Sequence, residues 1–380
     1  MKFETIKNNK KILLALVIVF VVILTLIITT SLAKYKVTES INIASGTINY
    51  SPSDLNLMGI YLESESGYTQ SSTIPESGYV LNESESYCKI GDTETEATIK
   101  YDMTTRMLTI SPMTTKGMKC YLYFDEKVLA ADQIIALAGN GQVFNEGDAG
   151  YRYEGLNVDN YVEFNNETWR ILAVEEGSKI GLTSGEYYIK LIKEEFLEDY
   201  IVYDADETGN WATSDIYNLL NGDYLNKTGD YSSTGLNSTA KENIIKANWY
   251  TNVTSSIANT TSQYFNDERS DLTKYVNNYV GLMYPSDYGY ASPSSTCGNL
   301  SLNNYTYRDS CSIASNWLYK NNLEWTIMQD DDVVDCINSG VVGTERAFGD
   351  APARPSVYLR SDISFVKGTT GSSSNMFKIA

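Results

Sequence analysis

The sequence contains no histidine. This absence excludes Ser-His-Asp and Cys-His catalysis, histidine-ligated zinc and an imidazole pH switch. Proline is scarce, with 7 residues in 380, and 29 basic side chains stand against 48 acidic ones. The formal charge of −19 argues against general nucleic-acid binding, which needs clustered Lys and Arg. Tyrosine is abundant, with 30 residues, a composition typical either of polar recognition surfaces or of an AT-rich genome.

The N-terminus predicts export. Four lysines precede a largely apolar run from Ile12 to about Ile28, whose length lies between that of a signal peptide and a spanning helix. Ser31 and Ala33 give the small-x-small pattern of a signal-peptidase site. Because the lysines lie on the short N-terminal side, the remainder is expected outside the cytoplasm. We therefore predict a signal peptide or signal-anchor transmembrane helix over residues 1–33, with anchoring in a Gram-positive plasma membrane or secretion after cleavage near Ala33.

Cysteine usage agrees with an oxidising compartment. There are five cysteines and no CxxC motif. The natural pairs are Cys88–Cys120 and Cys297–Cys311, each within one predicted domain, although spacing alone leaves the connectivity open. Cys336 is left over, and we expect a small buried or half-exposed side chain there rather than a nucleophile.

Hydrophobic patterns divide the exported part into two domains. Short β-rich runs separated by Ser, Gly and Thr predict a small antiparallel β-sandwich-like domain over residues 34–126. A helical and Gly-rich stretch over 127–160 is interpreted as a connector. Residues 161–380 mix helical and strand patterns, so the predicted fold class is α+β, headed by the transmembrane helix.

Within the second domain the patterns are more specific. Strands over 161–164 and 168–174 flank an Asn-rich turn and predict a hairpin. Helices are predicted over 213–224, with Ser214 as the cap, and over 238–250. Short strands over 357–359 and 363–365 are expected to close the domain.

Carboxylates are the main candidates for chemistry. Acidic residues cluster at 330–332 with Asp335, and again at 204–207. A glycosidase needs two carboxyl groups held about 5–10 Å apart with one pKa raised, and adjacency in sequence does not provide this. Calcium binding is an alternative use of such loops, but neither stretch has the EF-hand spacing. We predict no catalytic residue, no metal site and no cofactor.

Several segments together carry a resemblance to a family. They are 119–125 (KCYLYFD), 161–174, 220–226 (LNGDYLN), 282–291 (LMYPSDYGYA), 324–326 (EWT) and 354–361 (RPSVYLRS). In these segments the chain resembles an uncharacterised family of exported proteins from low-GC Gram-positive gut bacteria. The resemblance covers nearly all of the chain after residue 33. It implies a C-terminal domain of the C-type-lectin-like or formylglycine-generating-enzyme-like kind.

The resemblance also implies a variable segment. In relatives, the stretch between Trp325 and Arg354 looks like a hypervariable cassette, as in target proteins of diversity-generating retroelements. Residues 330–351 are the cassette here, although Ile-Met-Gln at 327–329 departs from the Leu-Ser-Pro of the relatives. The side chains expected to face a ligand are Asp331, Asp335, Asn338, Glu345, Arg346 and Phe348. Trp169, Trp325 and Arg354 are expected to form the framework, with Trp325 packing and Arg354 pairing with a carboxylate.

The sequence thus predicts an extracytoplasmic, membrane-tethered or secreted bacterial surface protein that binds an extracellular protein or glycan through a variable face. It would contact the membrane through the N-terminal helix and would bind no nucleic acid. Since residues 1–33 carry a net charge of +3, the remainder carries −22, and an anionic partner would have to meet a local basic patch. The alternatives are an ordinary surface loop at 330–351, a carboxylate-dependent surface hydrolase, and a structural cell-surface subunit.

Overall fold

A computed structural model describes residues 41–42, 55–64, 66–75, 78–102, 107–112, 118–198, 200–207, 210–253, 256–307, 309–330 and 332–380. The segment 1–33, predicted to be a signal peptide or transmembrane helix, lies outside these residues, as does Asp331. Within the described ranges, no helix is long and apolar enough to cross a membrane. The described residues form two compact units divided between Lys127 and Val128, here called the small and the large unit.

The fold is mostly β. Strands account for 38% of the structure and helices for 20%. The predicted α+β fold class is therefore wrong. The predicted transmembrane helix is not found among the described helices. The physical reason is that runs rich in β-branched and aromatic residues pair across the chain, so that helices remain short.

The small unit contains two sheets. Its described strands are β1 (Ile41–Asn42), β2 (Leu55–Leu62), β3 (Thr69–Ser71), β4 (Tyr79–Leu81), β5 (Tyr87–Ile90), β6 (Thr93–Thr95), β7 (Thr98–Asp102), β8 (Met107–Ser111) and β9 (Met118–Glu126). One sheet has the order β1-β8-β7, and the other has the order β3-β2-β9-β5-β6 with β4 also on β9. Strands β2 and β9 are parallel, so the predicted purely antiparallel arrangement is corrected to a mixed sheet.

The core of the small unit lies between its two sheets. Cys120 and Leu122 of β9 are fully buried and pack in one cluster with Ile99 and Ile110 of the three-stranded sheet. Cys88 and Cys120 are directly opposite in register and form a disulfide in this core. The alternation of buried and partly exposed residues along β9 therefore gives its sheet one core face and one open face.

The large unit contains the remaining elements. Its described strands are β10 (Val143–Asn145), β11 (Tyr151–Tyr153), β12 (Tyr161–Phe164), β13 (Glu167–Glu176), β14 (Tyr187–Lys193), β15 (Ile201–Val202), β16 (Ile244–Ile245), β17 (Ala247–Tyr250), β18 (Tyr275–Asn278), β19 (Val280–Gly281), β20 (Leu323–Asp330), β21 (Val333–Asn338), β22 (Val341–Arg346), β23 (Asp350–Ala351), β24 (Ser356–Leu359) and β25 (Phe377–Lys378). Its described α-helices are α1 (Ala130–Ile135), α2 (Asp215–Leu219), α3 (Ser238–Asn243), α4 (Thr261–Glu268), α5 (Pro285–Tyr290) and α6 (Ser294–Cys297). A π-helix, Leu220–Tyr224, continues α2.

A nine-stranded sheet organises the large unit. Its main path is β10-β11-β13-β14-β24-β16, with β12 on β13, β25 on β12 and β19 on β24. The residues interpreted as a connector contribute α1, β10 and β11, whose Val143 and Tyr153 are in the main core. Smaller sheets form from β15 and β23, from β17 and β18, and from β20, β21 and β22.

Local predictions for the large unit have mixed outcomes. The hairpin of β12 and β13 is confirmed, with Asn165 and Asn166 at positive φ in its turn. Ser214 caps α2 by accepting a hydrogen bond from the backbone N–H of Tyr217. The helix predicted over 238–250 is wrong beyond Asn243, because Ile244 and its neighbours pair with β24 and β18 instead. Over 363–365 the structure has isolated bridges rather than the predicted strand.

Candidate ligand-recognition surface

The predicted cassette supplies the second and third strands, β21 and β22, of a three-stranded antiparallel meander whose first strand is β20. Strand β21 pairs with β20 on one side and with β22 on the other. Val333 is opposite Arg346, and Asn338 is opposite Val341. The two ends of the meander are therefore separated by five residues, roughly 17 Å along a strand.

A buried frame holds the first strand of the meander. Trp325 is fully buried, and its indole N–H donates to the Ile201 carbonyl at 2.8 Å. The Trp325 backbone N–H donates to the Pro352 carbonyl at 3.1 Å. Tyr203 lies edge-on to Trp325 at 5.5 Å and donates to the Ile327 carbonyl at 2.9 Å. These contacts fix β20 against both β15 and the chain that follows the cassette.

A buried ion pair completes this frame. Arg354 donates through Nε and Nη2 to the two carboxylate oxygens of Glu324, at 2.7 and 2.8 Å. Arg354 also donates to the Leu318 carbonyl at 3.0 Å. Burial raises the pKa of Glu324, and the adjacent guanidinium opposes that shift. Trp169 is buried elsewhere, in β13 of the main sheet, edge-on to Phe164 at 5.2 Å.

The structure separates the residues predicted to face a ligand. Asp335 lies on the central strand and is only 7% exposed. Asn338 is exposed, but it lies at the far end of the meander. Glu345, Arg346 and Phe348 lie together at the other end, where Glu345 is partly exposed and Phe348 is 55% exposed. Asp331 lies outside the described residues.

Three neighbours of this group are not among the predicted residues. Asp332 forms an ion pair with Arg346, and the two side chains are 42% and 58% exposed. Val202 of β15 is 38% exposed and pairs in register with Asp350, two residues beyond Phe348. Tyr200 precedes β15 and is 73% exposed. The pairing of β15 with β23 and the hydrogen bond from the Asp204 N–H to the Ala347 carbonyl bring this distant segment to the cassette. Sequence position gives no signal for either contact.

These side chains define one patch, here called the recognition surface: Tyr200, Val202, Asp332, Glu345, Arg346 and Phe348. The guanidinium carbon of Arg346 lies 5.9 Å from the centre of the Phe348 ring. An exposed ion pair contributes about 0–1 kcal/mol to stability, so both charges are available to a ligand at little cost. Exposed aromatic side chains and arginine are the residue types that dominate binding hot spots.

Other features of the large unit do not suit hydrolysis. A cleft of about 230 Å³ is lined by residues that include Tyr151, Glu176 and Lys179. The Glu176 carboxylate accepts hydrogen bonds from Ser178 and the Gly185 N–H, which lowers its pKa, whereas a general acid needs a raised pKa. The predicted ligand-facing residues do not line this cleft.

Glu154, which lies outside this cleft, is one of the carboxyl groups with a raised pKa. Burial, with a hydrogen bond to Glu146, raises the pKa of Glu154 to about 7. The Ser294 N–H donates to the Glu154 carboxylate at 2.7 Å. Two carboxyl groups in direct contact leave no room for a glycosidic bond between them. Across the described ranges, no group of three or more Asp, Glu or Cys side chains is arranged to hold a metal ion.

A network of buried charges connects strands of the main sheet with two helices. It consists of Arg152, Glu175, Lys190, Glu268, Arg269 and Asp287. Asp287 accepts from both Arg152 and Lys190 at 2.6 Å. Because these buried groups pair with one another, the network joins β11, β13, β14, α4 and α5 rather than offering a site.

Both predicted disulfide pairs are present in the structure, Cys88–Cys120 and Cys297–Cys311. Cys336 is free and buried. Two disulfides indicate an extracytoplasmic location, because reducing compartments do not maintain them. No protein-family model, no curated protein and no solved structure matches the chain.

Proposed function

We propose that this is an exported binding protein whose recognition surface contacts an extracellular protein or glycan. The observation that carries the proposal is the exposed group of Arg346, Phe348 and Asp332 at the end of a meander whose base is held by Trp325 and Arg354. Recognition is commonly placed at exposed turns on a rigid scaffold, where side chains can vary without loss of the fold.

The burial pattern restricts which cassette positions can vary. Val334, Cys336, Ile337 and Val342 belong to the main core, although they lie within residues 330–351. Replacing the whole segment would therefore alter the core as well as the surface. Variation confined to Asp332 and to the exposed positions near the end of β22 would alter only the recognition surface.

Binding to arrays of surface glycans and extracellular proteins tests this function. The full chain is compared with Phe348→Ala and Arg346→Glu, and with Leu272→Ser as a matched control, since Leu272 is 59% exposed in the same unit. Loss of a hot-spot side chain costs about 2 kcal/mol or more, so we expect roughly 30-fold weaker binding for both surface variants. An array profile unchanged in both variants would contradict the proposal.

The resemblance to targets of diversity-generating retroelements supports a further part of the proposal. Under it, the exposed cassette positions differ among copies of this gene. A near-repeat of the DNA coding for residues 325–360, next to a reverse transcriptase gene, is the expected finding. Flanking DNA without such a repeat would contradict diversification. It would not bear on the binding function, which the array experiment tests separately.

We further propose that the chain is released outside the cell after cleavage near Ala33. The small residues at positions 31 and 33 and the two disulfides support this route. Mass spectrometry of protein collected from the culture medium should give an N-terminus close to residue 34. A mature chain that retains residues 1–33 would contradict the cleavage.

A further inference from the structure

The small unit carries a tyrosine-rich face on the side of its six-stranded sheet that faces away from the core. Tyr121 and Tyr123 of β9 alternate with buried Cys120 and Leu122 and are partly exposed. Tyr61 of β2 is partly exposed as well. We call this the tyrosine face; it consists of Tyr61, Tyr87, Tyr121, Tyr123, Lys89 and Lys119.

The tyrosine rings are arranged by strand register. Tyr61 is opposite Tyr123, and their rings stack at 4.8 Å with planes 12° apart. Tyr87 is opposite Tyr121, and these rings stack at 4.9 Å and 24°. The Tyr87 and Tyr123 rings lie 6.3 Å apart and join the two pairs into one ladder across three strands.

Neighbouring groups hold the ladder in place. A Cβ atom at Gly59 would lie 2.6 Å from the Tyr61 ring, so the ring lies over the Gly59 backbone, where only glycine leaves room. Tyr68 contacts the Tyr123 ring edge-on at 4.9 Å. The Tyr68 hydroxyl donates to Asp125, a contact that Asn82 supports by donating to the same carboxylate at 3.0 Å. The rings are therefore ordered before any ligand arrives, which lowers the entropy cost of binding.

Two lysines lie beside the ladder, and one of them has an acidic residue opposite it on the next strand. Lys89 and Lys119 are directly opposite in register, which places their Cβ atoms roughly 5 Å apart. Neither lysine forms an ion pair with any residue in the described ranges, although Glu94 is opposite Lys89 on its other side. The Lys89 Nζ lies 4.9 Å from the centre of the Tyr87 ring. Like charges in this position destabilise a sheet, so an anionic group placed between them would relieve their repulsion.

We propose that the tyrosine face binds an acidic glycan with isolated carboxylates, such as one uronic acid per disaccharide. One carboxylate lies between Lys89 and Lys119, and the sugar rings of the same chain lie along the tyrosine ladder. Because the rings stack on one another, their outward edges contact the sugar C–H groups, and the phenol hydroxyls exchange hydrogen bonds with sugar hydroxyls. This is the local basic patch that an anionic partner needs on a chain of net −19.

The number of cations favours a sparsely charged glycan over a nucleic acid. Nucleic-acid affinity depends on neutralising many consecutive phosphates, and this face offers two lysines. The disulfide Cys88–Cys120 on the opposite side of the same sheet also places the unit in an oxidising compartment, where extracellular glycans are found. This site is independent of the recognition surface, which lies on the large unit.

Titration calorimetry of the full chain with a hyaluronan decasaccharide tests the proposal. Dextran of similar length is the neutral probe and deca-thymidylate is the nucleic-acid probe. Lys119→Glu and Tyr121→Ala should each weaken hyaluronan binding at least tenfold, whereas Lys119→Arg and Tyr121→Phe should retain it, because they keep the charge and the ring. Lys100→Glu is the matched control, since Lys100 is exposed on the other sheet of the same unit.

The controls separate this site from other roles of the same residues. Lys119→Glu places a carboxylate opposite Lys89, so its melting temperature should be no lower than that of the wild type. Phe348→Ala should leave hyaluronan binding unchanged, whatever it does to array binding. The proposal is overturned by absence of hyaluronan binding, by equal binding of dextran or deca-thymidylate, or by Lys119→Glu binding like wild type.

Discussion

Removing the Glu324 carboxylate should destabilise the large unit by about 3–5 kcal/mol. In the structure the Arg354 and Glu324 side chains are 0% and 2% exposed and share two short charge-assisted hydrogen bonds. In Glu324→Gln the guanidinium stays buried, and its remaining acceptors, the new amide oxygen and the Leu318 carbonyl, carry no charge. The loss of stability arises from this unpaired buried charge. The attraction within the intact pair does little more than offset the cost of removing both charges from water.

A double-mutant cycle in urea measures this effect. Glu324→Gln, Arg354→Met and the double variant are unfolded while tryptophan fluorescence is recorded. Because the double variant buries no charge, its loss should be smaller than the sum of the single losses by about 1–3 kcal/mol. Asp362→Asn is the control, since the ion pair of Asp362 with Arg360 is about half exposed and should contribute about 1 kcal/mol or less. A cost below about 1 kcal/mol for Glu324→Gln, or strict additivity, would refute this role of the buried pair.

Three further predictions concern other buried groups. Burial raises the pKa of Glu268 to about 7, above the ordinary 4.5, so its contribution to stability is full below pH 4.5 and is lost as the pH rises to 7. The stability of Glu268→Gln relative to wild type should therefore rise by about 3 kcal/mol across that window in urea unfolding, and a pH-independent difference would contradict it. Burial raises the pKa of the Cys336 thiol to about 12, so iodoacetamide should label it only in urea; rapid labelling of the native chain would show that it is accessible. A Cβ at Gly281 would lie 2.4 Å from the Trp249 ring, so Gly281→Ala should cost about 1–3 kcal/mol. Gly222→Ala should not lower stability in this way, because a Cβ there meets nothing within 4 Å. Equal losses of stability in the two variants would contradict the packing argument.

Features set by neighbouring residues could be predicted from the sequence. The hairpin turn at Asn165-Asn166 and the cap at Ser214 depend on groups within a few positions of each other. Ile244 and Trp249 also have helical spacing, but their strands pair with residues far along the chain. Such pairings outweigh local propensity, and single-sequence patterns do not reveal them. For this reason the sequence pattern predicts an α+β class although the fold is mostly β.

The candidate site shows the same limit. Arg346 and Phe348, predicted from the cassette to face a ligand, are exposed in the structure. Asp335, predicted from the same segment, is buried because β21 is the central strand of its sheet. Whether a polar residue within a strand is buried cannot be predicted until the order of the strands in the sheet is known. Tyr200 and Val202 join the surface through the pairing of β15 with β23, which sequence distance conceals.

The most direct test of the recognition surface replaces three of its exposed side chains in a single variant. The triple variant Asp332→Ser, Arg346→Ser, Phe348→Ser removes the surface ion pair and the exposed ring but no buried group. Its melting temperature should stay within about 4 °C of wild type, because surface substitutions change stability by a few tenths of a kcal/mol each. Its binding to the ligands identified on the arrays should be lost. A triple variant that binds those ligands like the wild type would contradict the account.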